Sequence, residues 1–211
     1  RSRMPTLTAD AIGQRFGSLL LFRRLSFTLA GGHTLAITGA NGSGKSTLLR
    51  ILAGVLSPKA GSVTLQHAGQ PISAEERPLH TGLVAPYLGV YDPLSAYENL
   101  AFLADARRLN DADARIDTVL HRVQLSDRAH DRVATYSSGM TQRVKYAAAL
   151  LSEPPLLLLD EPGANLDAAG MEMVRDVMHE QQTSGRLLVI ATNRPDEAAL
   201  CERQIRIEDH R

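Results

Sequence analysis

The residues Gly39-Ala40-Asn41-Gly42-Ser43-Gly44-Lys45-Ser46-Thr47 carry the spacing G-x-x-x-x-G-K-[ST]. Its glycines let the backbone curl until successive N–H groups face one anion, and the N-terminus of a following helix adds partial positive charge. Lys45 is then placed to reach β- and γ-phosphates, and the Ser46 hydroxyl to ligate Mg²⁺. Lysine is scarce in this chain, occurring only as Lys45, Lys59 and Lys145. The loop follows Thr34–Thr38, a short apolar run that reads as a buried strand, and precedes Leu48–Gly54, whose apolar spacing reads as a helix. Strand, spacing, lysine and hydroxyl agree, which sets the stretch apart from a glycine turn that merely caps a helix.

A second group lies at Leu156-Leu157-Leu158-Leu159-Asp160-Glu161-Pro162. The leucines read as a strand of a parallel sheet covered on both faces. Two adjacent carboxylates at the C-terminal end of such a strand sit where α/β sheets bind ligands. One can face Mg²⁺ and the other an attacking water. A third group, Ser137-Ser138-Gly139-Met140-Thr141-Gln142, opens a helix that runs through Tyr146 to Leu151. Its free N–H groups form a potential anion site, although read alone the segment is an ordinary N-cap. From its position, Phe16 is equally a hydrophobic edge-strand residue or an aromatic that stacks on a nucleotide base.

The elements that must position these groups follow from periodicity. Thr6 to Leu29 holds short strand-like runs broken at Phe16-Gly17, with Leu19–Phe22 and Leu25–Leu29 after the break. Gly61–Leu65 is a strand, Pro71–Pro78 is polar and loop-like, and Leu83–Pro86 is a short strand ended by proline. Ser95–Leu109 is helical, with Ser95 and Glu98 in the S-x-x-E capping pattern. Asp111–Leu125 is a second amphipathic helix with Ile116, Val119, Leu120 and Val123 on one face. Helices without intervening strands predict a helical subdomain over 87–151, with the catalytic core and its β subdomain in 5–86 and 152–211 of a single domain. Ala168–Gln182 is a helix, Arg186–Ala191 a strand, Pro195–Leu200 a short helix and Gln204–Ile207 a terminal strand.

Composition narrows the function. The 211 residues balance 23 basic against 23 acidic side chains, so nothing points to a polyanion partner or a membrane-surface patch. The single cysteine, Cys201, forms no internal disulfide and reads as a small buried residue in a reducing compartment. The run Leu156–Leu159 is too short to cross a bilayer, and the N-terminus has no signal-peptide pattern. Arg1-Ser2-Arg3 ahead of Met4 reads as a non-native leader, and the chain stops soon after its last strand with no regulatory extension.

Taken in order, the phosphate loop, the helical insert, S-S-G-M-T-Q-R, L-L-L-L-D-E-P and A-N-L-D resemble the nucleotide-binding domain of ABC transporters over nearly the whole chain. The resemblance implies an α/β P-loop NTPase fold: a mainly parallel core sheet, an N-terminal antiparallel β subdomain and a helical signature subdomain. It implies ATP and Mg²⁺ as cofactors, Phe16 as the adenine-stacking aromatic, and Tyr136–Met140 as a signature motif whose usual form is L-S-G-G-Q. It makes Asp160 the end of the Walker B strand, Glu161 the general base and Ala164–Asp167 the D-loop. Two positions depart from the family. Tyr87 follows Pro86 where a glutamine usually touches Mg²⁺ and the lytic water, and Asn193 follows Ala191-Thr192 where a histidine usually holds the γ-phosphate and helps keep the base placed. An amide donates a hydrogen bond but carries no positive charge at any pH.

Within the family the chain looks like small bacterial exporter ATPases, most of all the haem-exporter ATPase of cytochrome c maturation. The implied partners are a second copy of the chain, with each ATP between one phosphate loop and the other chain's Ser137, Ser138 and Gly139, and transmembrane permease subunits. The implied location is the cytoplasmic face of the inner or plasma membrane, with no nucleic acid bound. The competing expectation is a nucleotide-gated dimerising module that hydrolyses little. Tyr87 and Asn193 support it, and the retained Glu161 opposes it.

Overall fold

Three apolar runs of the sequence pack side by side as the centre of a parallel sheet. The computed structural model describes residues 4–211; Arg1-Ser2-Arg3, which the sequence reads as a leader, lie outside them. The chain runs β1 (Thr6–Phe16), β2 (Leu19–Ala30), β3 (Thr34–Thr38), α1 (Lys45–Ala53), β4 (Ala60–His67), β5 (Gln70–Ile72) and β6 (Thr81–Val84). It continues through α2 (Ala96–Ala106), α3 (Ala112–Arg122), α4 (Ser138–Leu150), β7 (Leu156–Asp160), α5 (Ala168–Thr183), β8 (Leu187–Thr192), α6 (Pro195–Ala198) and β9 (Arg203–Arg206). The core sheet has the order β6-β7-β8-β3-β9, and every pairing in it is parallel. An antiparallel sheet of order β2-β1-β4-β5 forms the N-terminal half. This is the α/β P-loop NTPase fold, with the parallel sheet, antiparallel β part and helices that the sequence implies.

Every residue of β7 and β8 is buried. Successive side chains of a strand point to opposite faces, and here each face has its own apolar cluster. Leu156, Leu158, Leu187 and Val189 pack with α1 and the antiparallel sheet. Leu157, Leu159, Leu188 and Ile190 pack with α2, α3, α4 and α5. A fully buried leucine contributes about 1.5–3 kcal/mol relative to exposure, so these strands hold both layers on the sheet.

The helices between β6 and β7 begin as the sequence implies. Ser95 Oγ accepts from the Glu98 amide at 3.0 Å while the Glu98 carboxylate accepts from the Ser95 amide at 2.7 Å. This capping box holds two otherwise orphaned amides at the start of α2. Ile116, Val119, Leu120 and Val123 are all buried. Cys201 is buried too, and burial pushes its thiol up to about 11, so at neutral pH it is an apolar filler and not a nucleophile.

Some boundaries differ from the sequence reading. β2 is continuous from Leu19 to Ala30, because a bulge with Arg24 at φ 50° absorbs what reads as a break after Phe22. The stretch expected to be loop from Pro71 to Pro78 contains the end of β5 and a 3₁₀ turn at Arg77–His80. That turn is fixed by the buried Arg77, which donates to the Val63 and Ile51 carbonyls at 2.7 and 3.3 Å. The terminal strand ends one residue early, and Ile207 is buried at the start of a 3₁₀ turn, Ile207–His210. Among the described residues no helix is long and apolar enough to cross a membrane.

Candidate active site

All five parallel strands point their C-terminal ends to one edge of the sheet, and the phosphate loop, the acid pair Asp160-Glu161 and Asn193 each sit at one of those ends. The phosphate loop follows β3. Helix α1 starts at Lys45, three residues before the apolar pattern begins, so Lys45, Ser46 and Thr47 form its first turn. No acidic side chain occupies that turn, and its amides are open to an anion. The loop needs glycine at Gly44: φ is 111°, and a Cβ there would stand 3.1 Å from Leu21 of β2.

The loop borders a cleft of about 380 Å³ lined by Phe16, Leu21, Asn41, Gly42, Gly44, Lys45, Ser46, Thr47 and Glu161. Phe16 ends β1 exposed at this cleft, which gives its aromatic face to whatever occupies it. Lys45 is buried. Its Nζ donates to the Gly39 and Ala40 carbonyls at 2.9 and 3.1 Å and lies 3.9 Å from Glu161 Oε1. Lysine and carboxylate thus form a long ion pair at the wall of the cleft.

At the end of β7 the two acids differ. Asp160 is buried, and its Oδ1 has no hydrogen-bond partner among the described residues. Burial raises its pKa, opposed by the Ser46 hydroxyl beside it and by the charges of Lys45 and Arg50. An orphaned carboxylate oxygen next to a hydroxyl is a hard-oxygen pair of the kind Mg²⁺ takes from a protein, and the residues present fit that ion. Glu161 stands in the left-handed region at φ 52°, unusual for a non-glycine residue. Its amide donates to the Ala191 carbonyl of β8 at 2.8 Å, which holds the turn in place. Such a conformation costs about 1–3 kcal/mol and is concentrated at functional sites. Burial raises the Glu161 pKa, Lys45 opposes that rise, and the neighbouring charges of Glu197 and Asp160 add to it.

After β8, Asn193 does two things. Its side-chain Nδ2 donates to Asn41 Oδ1 of the phosphate loop at 2.9 Å. Its backbone amide pulls the Glu161 pKa down, the weakest of the influences on that acid, and as a main-chain group it does so whatever residue stands at 193. Behind it, the buried Glu197 accepts from the Thr192 hydroxyl at 2.6 Å and lies 3.6 Å from Arg194. A Cβ on Gly163 would meet that carboxylate at 2.6 Å.

Two groups of sequence candidates stay apart from the cleft. Tyr87 does not line it; its ring lies under the Arg50 guanidinium of α1 at 4.0 Å. A guanidinium over a phenol ring contributes about 0.5–2 kcal/mol, so the side chain is tied to α1. Ser137, Ser138 and Gly139 line a separate cleft of about 400 Å³ with Met140, Arg143, Asn165 and Asp167. Ser137 Oγ caps α4 through the Met140 amide at 3.2 Å, and Arg143 reaches Asp167 at 3.3 Å. One chain does not bring the signature segment to its own phosphate loop. The sequence reading assigned nothing to Glu208, Arg50 or Glu197, because each is brought to the site by tertiary packing and carries no local motif.

Fold, loop and carboxylate pair define a P-loop NTPase domain. The family described as "ABC transporter" matches residues 22–164, and the chain belongs to that family as an ATP-binding domain. It is similar to an uncharacterized ABC transporter ATP-binding protein, YdbJ, of Bacillus subtilis (strain 168): 36% identical over 206 residues, covering 97% of this chain and 67% of that protein. It is also similar to the cytochrome c biogenesis ATP-binding export protein CcmA of Rhizobium etli, 35% identical over 195 residues, covering 90% of this chain and 88% of that protein. Among solved structures it matches cbiO1 from Clostridium perfringens, described as part of the ABC transporter complex cbiONQ, with a TM-score of 0.79 and 26% identity, covering 95% of this chain and 83% of that one.

Proposed function

We propose that this chain hydrolyses ATP as the motor subunit of an ABC exporter, working through separate membrane subunits. One observation carries the hydrolytic reading: Glu161, with its pKa raised by burial, faces Lys45 at 3.9 Å while its own amide, held by the Ala191 carbonyl, fixes its position. In this reading Phe16 stacks on the adenine. The loop amides of Gly42 to Thr47 receive the phosphates, with Gly39, Ala40 and Asn41 shaping their approach. Lys45 exchanges the Gly39 and Ala40 carbonyls for β- and γ-phosphate oxygens. Ser46 and Asp160 would hold Mg²⁺, which supplies neutralising charge on the phosphates. Glu161 takes the proton of the attacking water, and Asn193 donates a neutral hydrogen bond beside the terminal phosphate.

The separate cleft of Ser137, Ser138 and Gly139 supports a head-to-tail dimer in which that cleft closes over the partner's nucleotide. Between the antiparallel part and the helices lies an apolar groove of about 300 Å³, lined by Val55, Leu83, Leu88, Val90 and Leu103. Tyr91 and Phe102 are exposed and packed edge to face. We assign the groove to the permease subunit, with the segment 87–151 moving as the helical body that transmits closure. In this reading the chain works at the cytoplasmic face of the membrane, and its likeness to CcmA supports haem or a cytochrome c maturation component as the exported substrate. The second reading, a nucleotide-gated module with little hydrolysis, draws on Asn193: its side chain offers no charge and is already engaged by Asn41. Phosphate release by the purified chain, set against Glu161→Gln, separates the two. Release at the level of that control overturns the motor.

A further inference from the structure

The fifth strand end at the catalytic edge belongs to β9, whose register with β3 runs from Leu35↔Arg203 to Thr38↔Arg206. Where β3 enters the phosphate loop, β9 enters the turn Ile207–His210. Glu208 of that turn points its carboxylate into the first bend of the loop. Its Oε1 accepts from the Ala40 amide at 2.7 Å, across 168 positions of sequence. Its Oε2 is buried with no hydrogen-bond partner among the described residues, although Arg206 Nε stands 3.5 Å away. The Ser43 hydroxyl is buried and equally unpartnered. Both atoms converge on one point: a Cβ on Gly39 would lie 2.7 Å from Glu208 Oε2 and 2.8 Å from Ser43 Oγ. The backbone of Gly39, at φ +148°, makes room for that convergence. The Ala40 amide also keeps the Glu208 carboxyl below the usual range, so the acceptor is charged at neutral pH.

We propose that Glu208 is a positioning residue for the phosphate loop: its carboxylate clamps the Ala40 amide and so pre-forms the loop for polyphosphate. The Ala40 bend lies before the amides and lysine that face the anion, so the negative charge braces the loop from behind. A loop fixed before binding loses less conformational freedom when the nucleotide arrives. This inference rests on the reading of the cleft as an ATP site, and the experiment separates the two.

The probe is Mg²⁺-ADP, which is not turned over, titrated calorimetrically into wild type, Glu208→Ala and Glu208→Gln. Hydrogen exchange of the Ala40 amide is followed without nucleotide. Glu208→Ala should bind ADP roughly tenfold more weakly, the scale of one lost hydrogen bond to a charged group. KM for ATP should rise by a similar factor, while kcat changes less than about threefold and the Ala40 amide exchanges faster. Glu208→Gln keeps an acceptor and should stay within about threefold of wild type. Wild-type affinity in Glu208→Ala, even with a lowered melting temperature, overturns the clamp and leaves a purely structural contact. Should Glu208→Ala fail to fold, free exchange of Ala40 in the wild type overturns the clamp by itself. A wild type that binds no ADP while its Ala40 amide is protected refutes the nucleotide reading and leaves the clamp standing.

Discussion

The ends of β7 and β8 lie side by side and do different work. β7 ends in two carboxylates, one orphaned beside a hydroxyl and one held in a strained backbone opposite a lysine. β8 ends in Thr192 and Asn193, which carry no charge and act through hydrogen bonds to Glu197 and Asn41. The charge that could do chemistry is concentrated after β7, while β8 supplies its placement. A neutral residue at 193 is therefore compatible with an active site, because Glu161 is held through its own amide on the Ala191 carbonyl of β8, whatever side chain stands at 193.

Removing the β7 base breaks this comparison most severely. Glu161→Gln keeps the shape but cannot accept a proton, and phosphate release should fall about 10²–10⁴-fold with nucleotide still bound. The same residue sharpens the comparison through pH. Its pKa is raised, so the base is lost by protonation as pH falls through a value above the ordinary carboxylate range, near 4.3, and the acid limb of kcat should lie correspondingly high. An acid limb unchanged in a Glu197→Gln variant that folds would remove Glu197 as a contributor.

Next in size is Lys45→Ala, which takes away the cation on the phosphates. Calorimetric ATP affinity should drop about tenfold to a hundredfold, with turnover lost in parallel. Asn193 tests the β8 side directly. Asn193→Ala leaves the Glu161 amide on the Ala191 carbonyl and should reduce turnover by less than about tenfold, far short of Glu161→Gln. Asn193→His should raise turnover by up to about tenfold below its pKa near 6.5, where an imidazolium adds charge. If Asn193→Ala proves as damaging as Glu161→Gln, the division of labour between the two strand ends is wrong. The smallest effect belongs to Tyr87. Tyr87→Gln should leave isolated turnover within about twofold, because the ring packs on Arg50 outside the cleft. Its effect should appear only when the permease is present.

The sequence made the phosphate loop and the β7 acids legible because each motif is local: the spacing G-x-x-x-x-G-K-S and a leucine run ending in Asp160-Glu161 need no tertiary information. The helices were legible for the same reason, through Ser95 with Glu98 and the face shared by Ile116 and Val119. Phe16 read equally as edge strand or base platform, and only the packing of β1 beside the loop brings it to the cleft. Tyr87 was read at the nucleotide site through the family resemblance, while α1 offers its ring a guanidinium, a partner no local pattern announces. Glu208 was invisible because its contact spans 168 positions and depends on the register of β9 against β3.

The alternation of Leu156–Leu159 between two apolar clusters has a consequence for how the molecule melts. Neither layer owns a core that survives the loss of β7, so the antiparallel half and the helical half are thermally one unit. Heating should give a single calorimetric transition, and a ligand seated on the strand ends should raise the melting temperature of α2 and α3, which it never touches, as much as that of α1.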